Sequence, residues 1–96
     1  MVHLRVRMLG ALGEAAGKGE QELSFRGEVD VARVVQRLID DHGEGLRRTL
    51  LDPLLQSPLP NSLILLNGVE INNLEGLRTP VGDGDTLTFL AVAHGG

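Results

Sequence analysis

Between Val31 and His42, in VARVVQRLIDDH, bulky apolar residues fall at positions 31, 34, 35, 38 and 39. That is the i, i+3, i+4, i+7, i+8 stripe of an amphipathic helix, and it constrains the rest of the chain because such a stripe must be covered. Asp30 is placed to cap the first turn, Val29 to staple against Val34, and Gly43 to stop the helix. What covers the stripe has to come from segments of a different period.

Those segments read as strands. From Val2 to Leu9, Val2, Leu4, Val6 and Met8 share one parity, while His3, Arg5, Arg7 and Leu9 share the other. GALGEAAGKG follows with four glycines and is expected to be a connecting loop; EQELSFR then returns as an antiparallel strand carrying Leu23 and Phe25. Gly45 to Asn61 reads as a connection, a leucine-rich turn followed by QSPLPN, whose two prolines exclude a central strand. SLILLNG is a short apolar strand ending in the turn signal Asn67-Gly68, with VEIN as a brief return. Glu75 to Pro80 is loop, and Val81 to Asp85 is a turn that launches TLTFLAV. Packing the helix stripe on Leu4, Val6, Met8, Leu23, Phe25, Leu87 and Phe89 gives an α+β domain of the β-grasp kind, a mixed sheet of four to five strands with one main helix on one face.

Composition narrows the function. A length of 96 residues fits a single domain over 1–96. With no cysteine, disulfides, thiolate metal sites and a cysteine nucleophile are excluded. The net charge of −4 and the two aromatic residues, Phe25 and Phe89, argue against a nucleic-acid surface. MVHLRVRML is neither a signal peptide nor a spanning segment, so the expected location is the cytoplasm, with no membrane partner. Lys18 is the sole lysine. The glycine-rich stretch fails as a phosphate loop, since Leu12 and Gly19 stand where the motif needs Gly and Ser or Thr. Asp40, Asp41, His42 and Glu44 lack the spacing of a calcium loop and read as a solvated helix end, so no metal site is assigned. No Ser/His/Asp set or acid pair suggests an enzyme acting alone.

If Leu87 and Phe89 face the helix, Thr86, Thr88 and Leu90 face outward, on the side that carries Leu9 with His3, Arg5 and Arg7. SLILL adds either Leu63 with Leu65 or Ile64 with Leu66 to that side. Leucines gathered beside arginines suggest a docking surface, drawn here through Leu9, Leu63, Leu65 and Leu90. The alternative is that the segment from Leu51 to Leu59 folds over them.

The final third, NSLILLNGVEINNLEGLRTPVGDGDTLTFLAVAHGG, resembles the MoaD/ThiS family of sulfur carriers, most sharply in LNG at 66–68, DGD at 83–85 and the Gly95-Gly96 ending. The family comprises ubiquitin-like β-grasp proteins, including the small subunit of molybdopterin synthase and the ubiquitin-related modifier. Ala91-Val92 stands where many small subunits carry a proline pair, and His94 is more like the ending of the ubiquitin-related modifier.

The resemblance implies that the reacting atom is the main-chain carboxylate of Gly96, on a tail spanning 91–96. A free α-carboxylate is ionised and unreactive at neutral pH, so a partner must activate it. The implied partner is an adenylating enzyme of the MoeB/ThiF type that uses ATP; a sulfur donor then displaces AMP to leave a thiocarboxylate. No cofactor is bound permanently. The carrier would be a co-substrate or small subunit, serving a molybdopterin synthase large subunit or another sulfur acceptor. Gly95 and Gly96 lack Cβ atoms and suit a narrow channel, while His94 reads as a spacer. The expected function is sulfur carriage for molybdenum cofactor synthesis. Alternatives are tRNA thiolation, protein modification, in which Lys18 as sole lysine limits chain building on itself, and a non-catalytic β-grasp binding module.

Overall fold

The computed structural model describes residues 1–59 and 62–91. Strand β1 (Val2–Leu9) and strand β2 (Glu20–Phe25) pair antiparallel, Val2 opposite Phe25 through Arg7 opposite Glu20. Between them the expected loop contains a helix, α1 (Ala11–Ala16). Its residues are good helix formers, and Leu12 is fully buried, so tertiary burial supplies what six residues lack in intrinsic stability. Gly13 is required by packing. A Cβ there would lie 2.6 Å from the Met8 carbonyl oxygen, so only glycine lets α1 approach β1 this closely.

Helix α2 spans Val31–His42, as the stripe requires, with Val31, Val34, Val35, Leu38 and Ile39 buried. The Asp30 carboxylate accepts a hydrogen bond from the Arg33 amide at 2.8 Å, and the Gly43 amide donates to the Ile39 carbonyl at the other end. Two short strands, β3 (Val29–Asp30) and β6 (Pro80–Val81), pair antiparallel ahead of α2. The Val31 amide donates to the Thr79 carbonyl at 3.1 Å, which fixes where α2 starts.

The segment after Gly43 departs from the sequence expectation. Instead of a leucine-rich turn, Glu44–Leu50 forms helix α3, with Leu46 and Leu50 buried one turn apart on one face. Residues 51–59 then run beside α2, where Leu51 and Pro58 line a small groove with Val35 and Ile39. They do not cover the outer face of the sheet.

Strands β4 (Ser62–Leu66), β5 (Val69–Glu70) and β7 (Thr86–Ala91) complete the main sheet. Its order is β2-β1-β7-β4-β5, with β7 parallel to β1 and antiparallel to β4. Asn67 and Gly68 join β4 to β5 with φ of 49° and 86°, the left-handed pair that a tight hairpin turn needs. Turns of 3₁₀ helix, Ile71–Asn73 and Gly76–Arg78, lead to β6 in place of a plain loop. The core lies between the sheet and α2, where Leu4, Val6, Met8, Leu23, Phe25, Leu87 and Phe89 meet the helix stripe. The fold is a mixed five-stranded β-grasp. No helix among the described residues is long and apolar enough to cross a membrane.

Candidate functional site: the outer face of the sheet and the end of strand β7

Register places the outer face residue by residue. Because Phe89 and Leu87 are fully buried on the helix side, Leu90, Thr88 and Thr86 point outward. Leu9 of β1 lies opposite Leu90, which lies opposite Leu63 of β4. These three leucines form one row across adjacent strands, about 10 Å from first to last at the usual strand spacing. The next row runs Arg7, Thr88, Leu65 and Glu70, and the one beyond it pairs Arg5 with Thr86. The face is thus graded, apolar where β7 ends and charged where it begins.

All four leucines singled out from the sequence lie on this face. Leu90 is exposed, whereas Leu9, Leu63 and Leu65 are half-buried by their neighbours in the sheet. Of the two parities open for β4, the fully buried Ile64 selects the inner set, which leaves Leu63 and Leu65 outside. Arg5 is drawn sideways toward β2, its Nε 3.3 Å from Glu20 and its Nη2 3.8 Å from Glu22. Exposed pairs of this kind contribute little to stability. Among the described residues Arg7 takes part in no ion pair, so it is the free cation beside the leucines.

The motif residues Asn67, Asp83 and Asp85 build the frame behind this face. The Asn67 side-chain amide donates to Asp85 Oδ1 at 3.0 Å, its oxygen accepts from the Thr86 amide at 2.9 Å, and its own amide donates to the Thr86 carbonyl. Asp85 Oδ2 accepts from the Gly82 amide, and the Arg5 amide donates to the Asp85 carbonyl. Asp83 Oδ1 accepts from the His3 amide at 2.8 Å, while the Gly84 amide donates to the His3 carbonyl at 2.7 Å. These bonds lock β1, β4 and β7 in the register that lines up Leu9, Leu90 and Leu63. Sequence reasoning matched LNG and DGD as a pattern and missed this task. The available signal was three short polar side chains at two turns flanking adjacent strands.

The acidic cluster is dispersed among local partners. Asp40 accepts from Gln36, Asp41 pairs with Arg37 at 3.1 Å, and the His42 ring meets the Gln21 amide. Among the described residues no group of His, Asp and Glu is gathered closely enough to hold a metal ion.

Ala91, expected to open the tail, is the last residue of β7 and pairs with Ser62. The sheet extends one residue further than expected because β4 offers a partner there. His94, Gly95 and Gly96 lie outside the described residues.

Comparison with known proteins places this geometry in a family. Residues 6–96 match the model of the ThiS family. The small archaeal modifier protein 1 of Methanosarcina acetivorans is 30% identical, with a TM-score of 0.83 over 100% of this chain and 98% of its own. Urm1 of Trypanosoma brucei is 25% identical, with a TM-score of 0.80 over 98% of this chain and 95% of its own. A chain of the BexX/CysO complex of Amycolatopsis orientalis is 25% identical, with a TM-score of 0.72 over 97% and 99%. No curated protein matches the sequence. With nearly its whole length matched and the same five-stranded grasp, this chain belongs to the ThiS family of ubiquitin-like sulfur carriers.

Proposed function

We propose that the chain carries sulfur on the main-chain carboxylate of Gly96. An adenylating enzyme of the MoeB/ThiF type joins that carboxylate to AMP from ATP, and a sulfur donor displaces AMP to leave a thiocarboxylate. The observation that carries the reading is the row Leu9, Leu90 and Leu63, which lies at the end of β7 that leads to His94, Gly95 and Gly96. A partner gripping that row holds the body of the carrier next to the residues it must receive. Five residues beyond Ala91 reach at most about 16 to 18 Å, enough to enter a recessed active site. Holding the body in place turns a bimolecular encounter of the carboxylate into a positioned one.

For the acceptor we propose the large subunit of a molybdopterin synthase, in the cytoplasm. The support is the motif set LNG, DGD and terminal Gly-Gly. A second reading, conjugation to other proteins, is favoured by the 30% identity to a small archaeal modifier protein. Both readings use the same activated carbonyl.

Intact mass spectrometry tests the carrier role. After incubation with ATP, a sulfide donor and the cognate adenylating enzyme, the chain gains the mass difference between sulfur and oxygen, and a chain lacking Gly96 does not. An unchanged full-length chain, with an enzyme proven active on another carrier, overturns the proposal. Conjugates on a denaturing gel that disappear with Gly96 select the modifier reading.

A further inference from the structure

We propose that Lys18 is an internal acceptor for the activated Gly96 carbonyl, through which the chain closes into a lariat when no partner holds its end. The inference rests on the activation proposed above. Nucleophilic nitrogen is scarce on this surface. Of the nine Lys and Arg residues eight are arginines, whose guanidinium stays protonated and does not attack carbonyls; Lys18 and the α-amine of Met1 are the two primary amines.

Geometry separates those two amines. Arg7 lies opposite Glu20, and the Met8 amide donates to the Gly19 carbonyl at 2.8 Å, so Lys18 comes level with Leu9. Leu9 in turn lies opposite Leu90, which places Lys18 two strand spacings, about 10 Å, from the end of β7. That is shorter than the roughly 16 to 18 Å of main chain beyond Ala91, before the four-carbon lysine stem is added. Met1 sits at the opposite end of the eight-residue strand β1, which rises about 26 Å, beyond the same reach. Lys18 is exposed, flanked by Gly17 and Gly19, and takes part in no ion pair among the described residues.

The step balances without redox chemistry. The lone pair of the uncharged Lys18 Nζ attacks the Gly96 carbonyl carbon, and the bond from that carbon to the AMP phosphate oxygen breaks. AMP leaves with the electron pair, and the nitrogen gives its extra proton to water. The product is an isopeptide whose mass is that of the starting chain less one water. A partner seated on Leu9, Leu90 and Leu63 draws the end of the chain away from Lys18, so docking and closure compete. A closed chain has no carboxylate left to activate and is withdrawn from sulfur transfer.

The test is made first without any enzyme. The full chain is prepared as a Gly96 thioester by intein cleavage, and closure is followed by intact mass. Wild type forms a monomeric lariat at least about tenfold faster than the Lys18→Arg chain loses thioester, as expected for a positioned intramolecular amine. Proteolytic mapping finds Lys18 joined to Gly96. A Lys18→Arg/Arg26→Lys chain, whose amine stands beyond the far end of β2, does not close at that rate. The inference is overturned if this double variant closes as fast, if the linkage maps to Met1, or if only covalent dimers form. The second arm uses the adenylating enzyme and ATP without a sulfur donor. Pyrophosphate exchange by the Lys18→Arg chain together with loss of its lariat supports the inference. Exchange without a lariat in wild type overturns it for the enzymatic route, and absence of exchange with lariat formation from the thioester overturns the carrier reading alone.

Discussion

Gly13 and Asn67 show how much of this fold depends on single side chains, or on the lack of one. A methyl group at Gly13 would press on the Met8 carbonyl at 2.6 Å, and backbone does not yield as a side chain would. Gly13→Ala should therefore lower the unfolding free energy by about 1 to 3 kcal/mol in urea titrations; an unchanged midpoint would mean that α1 does not pack as described. Asn67 combines a left-handed backbone with a two-sided side-chain clamp. Asn67→Gly keeps the backbone permissive and removes the clamp, so its cost, about 1 to 3 kcal/mol, measures the clamp alone. Asn67→Ala adds the strain of positive φ and should be the worse of the two; equal losses would assign the whole effect to the side chain. At this scale LNG and DGD are visible in the sequence as a pattern, but their task is not, because hydrogen bonds between residues 67 and 85 exist only after β4 and β7 are paired.

Among the elements, α2 and β7 are legible because their patterns are long and consistent. Five apolar positions over 12 residues allow one reading as a helix, and TLTFLA alternates through its length. Helices α1 and α3 are not legible. At six and seven residues they are too short to be stable alone, and the glycines around α1 and the leucine-rich run LRRTLL each mimic other structure. They form because Leu12, Leu46 and Leu50 have a core to enter. If so, Leu46→Ala and Leu50→Ala should each cost about 2 to 5 kcal/mol by chemical denaturation. Values within about 0.5 kcal/mol of zero would return the segment to the status of a surface connection. The pairing of β3 with β6 is illegible for a related reason, since two-residue strands carry no period.

On the scale of the molecule, the outer face is legible from parity alone, because Leu9, Leu90 and one pair of β4 leucines had to share a side once the core was assigned. Which β4 pair lay outside depended on the burial of Ile64, and strand alternation is symmetric in that respect. Leu90 is 39% exposed, so Leu90→Asp should leave the unfolding midpoint nearly unchanged while lowering kcat/KM for adenylation by about tenfold or more. Full activity of that variant would move the docking surface elsewhere. Arg7, free beside the leucine row, favours an acidic rim on the partner. Arg7→Glu should slow association most at low ionic strength, and a salt dependence like that of wild type would remove Arg7 from the interface.

Strand β7 lies in the middle of the main sheet, between β1 from the beginning of the chain and β4. A nascent or truncated polypeptide that stops short of residue 86 lacks the strand that unites the two halves, leaving the β1–β2 hairpin and the β4–β5 pair with open edges. Maturation is therefore self-proofreading: a ribosome that abandons the message early releases something proteases can digest, not a dead decoy that competes for the activating enzyme.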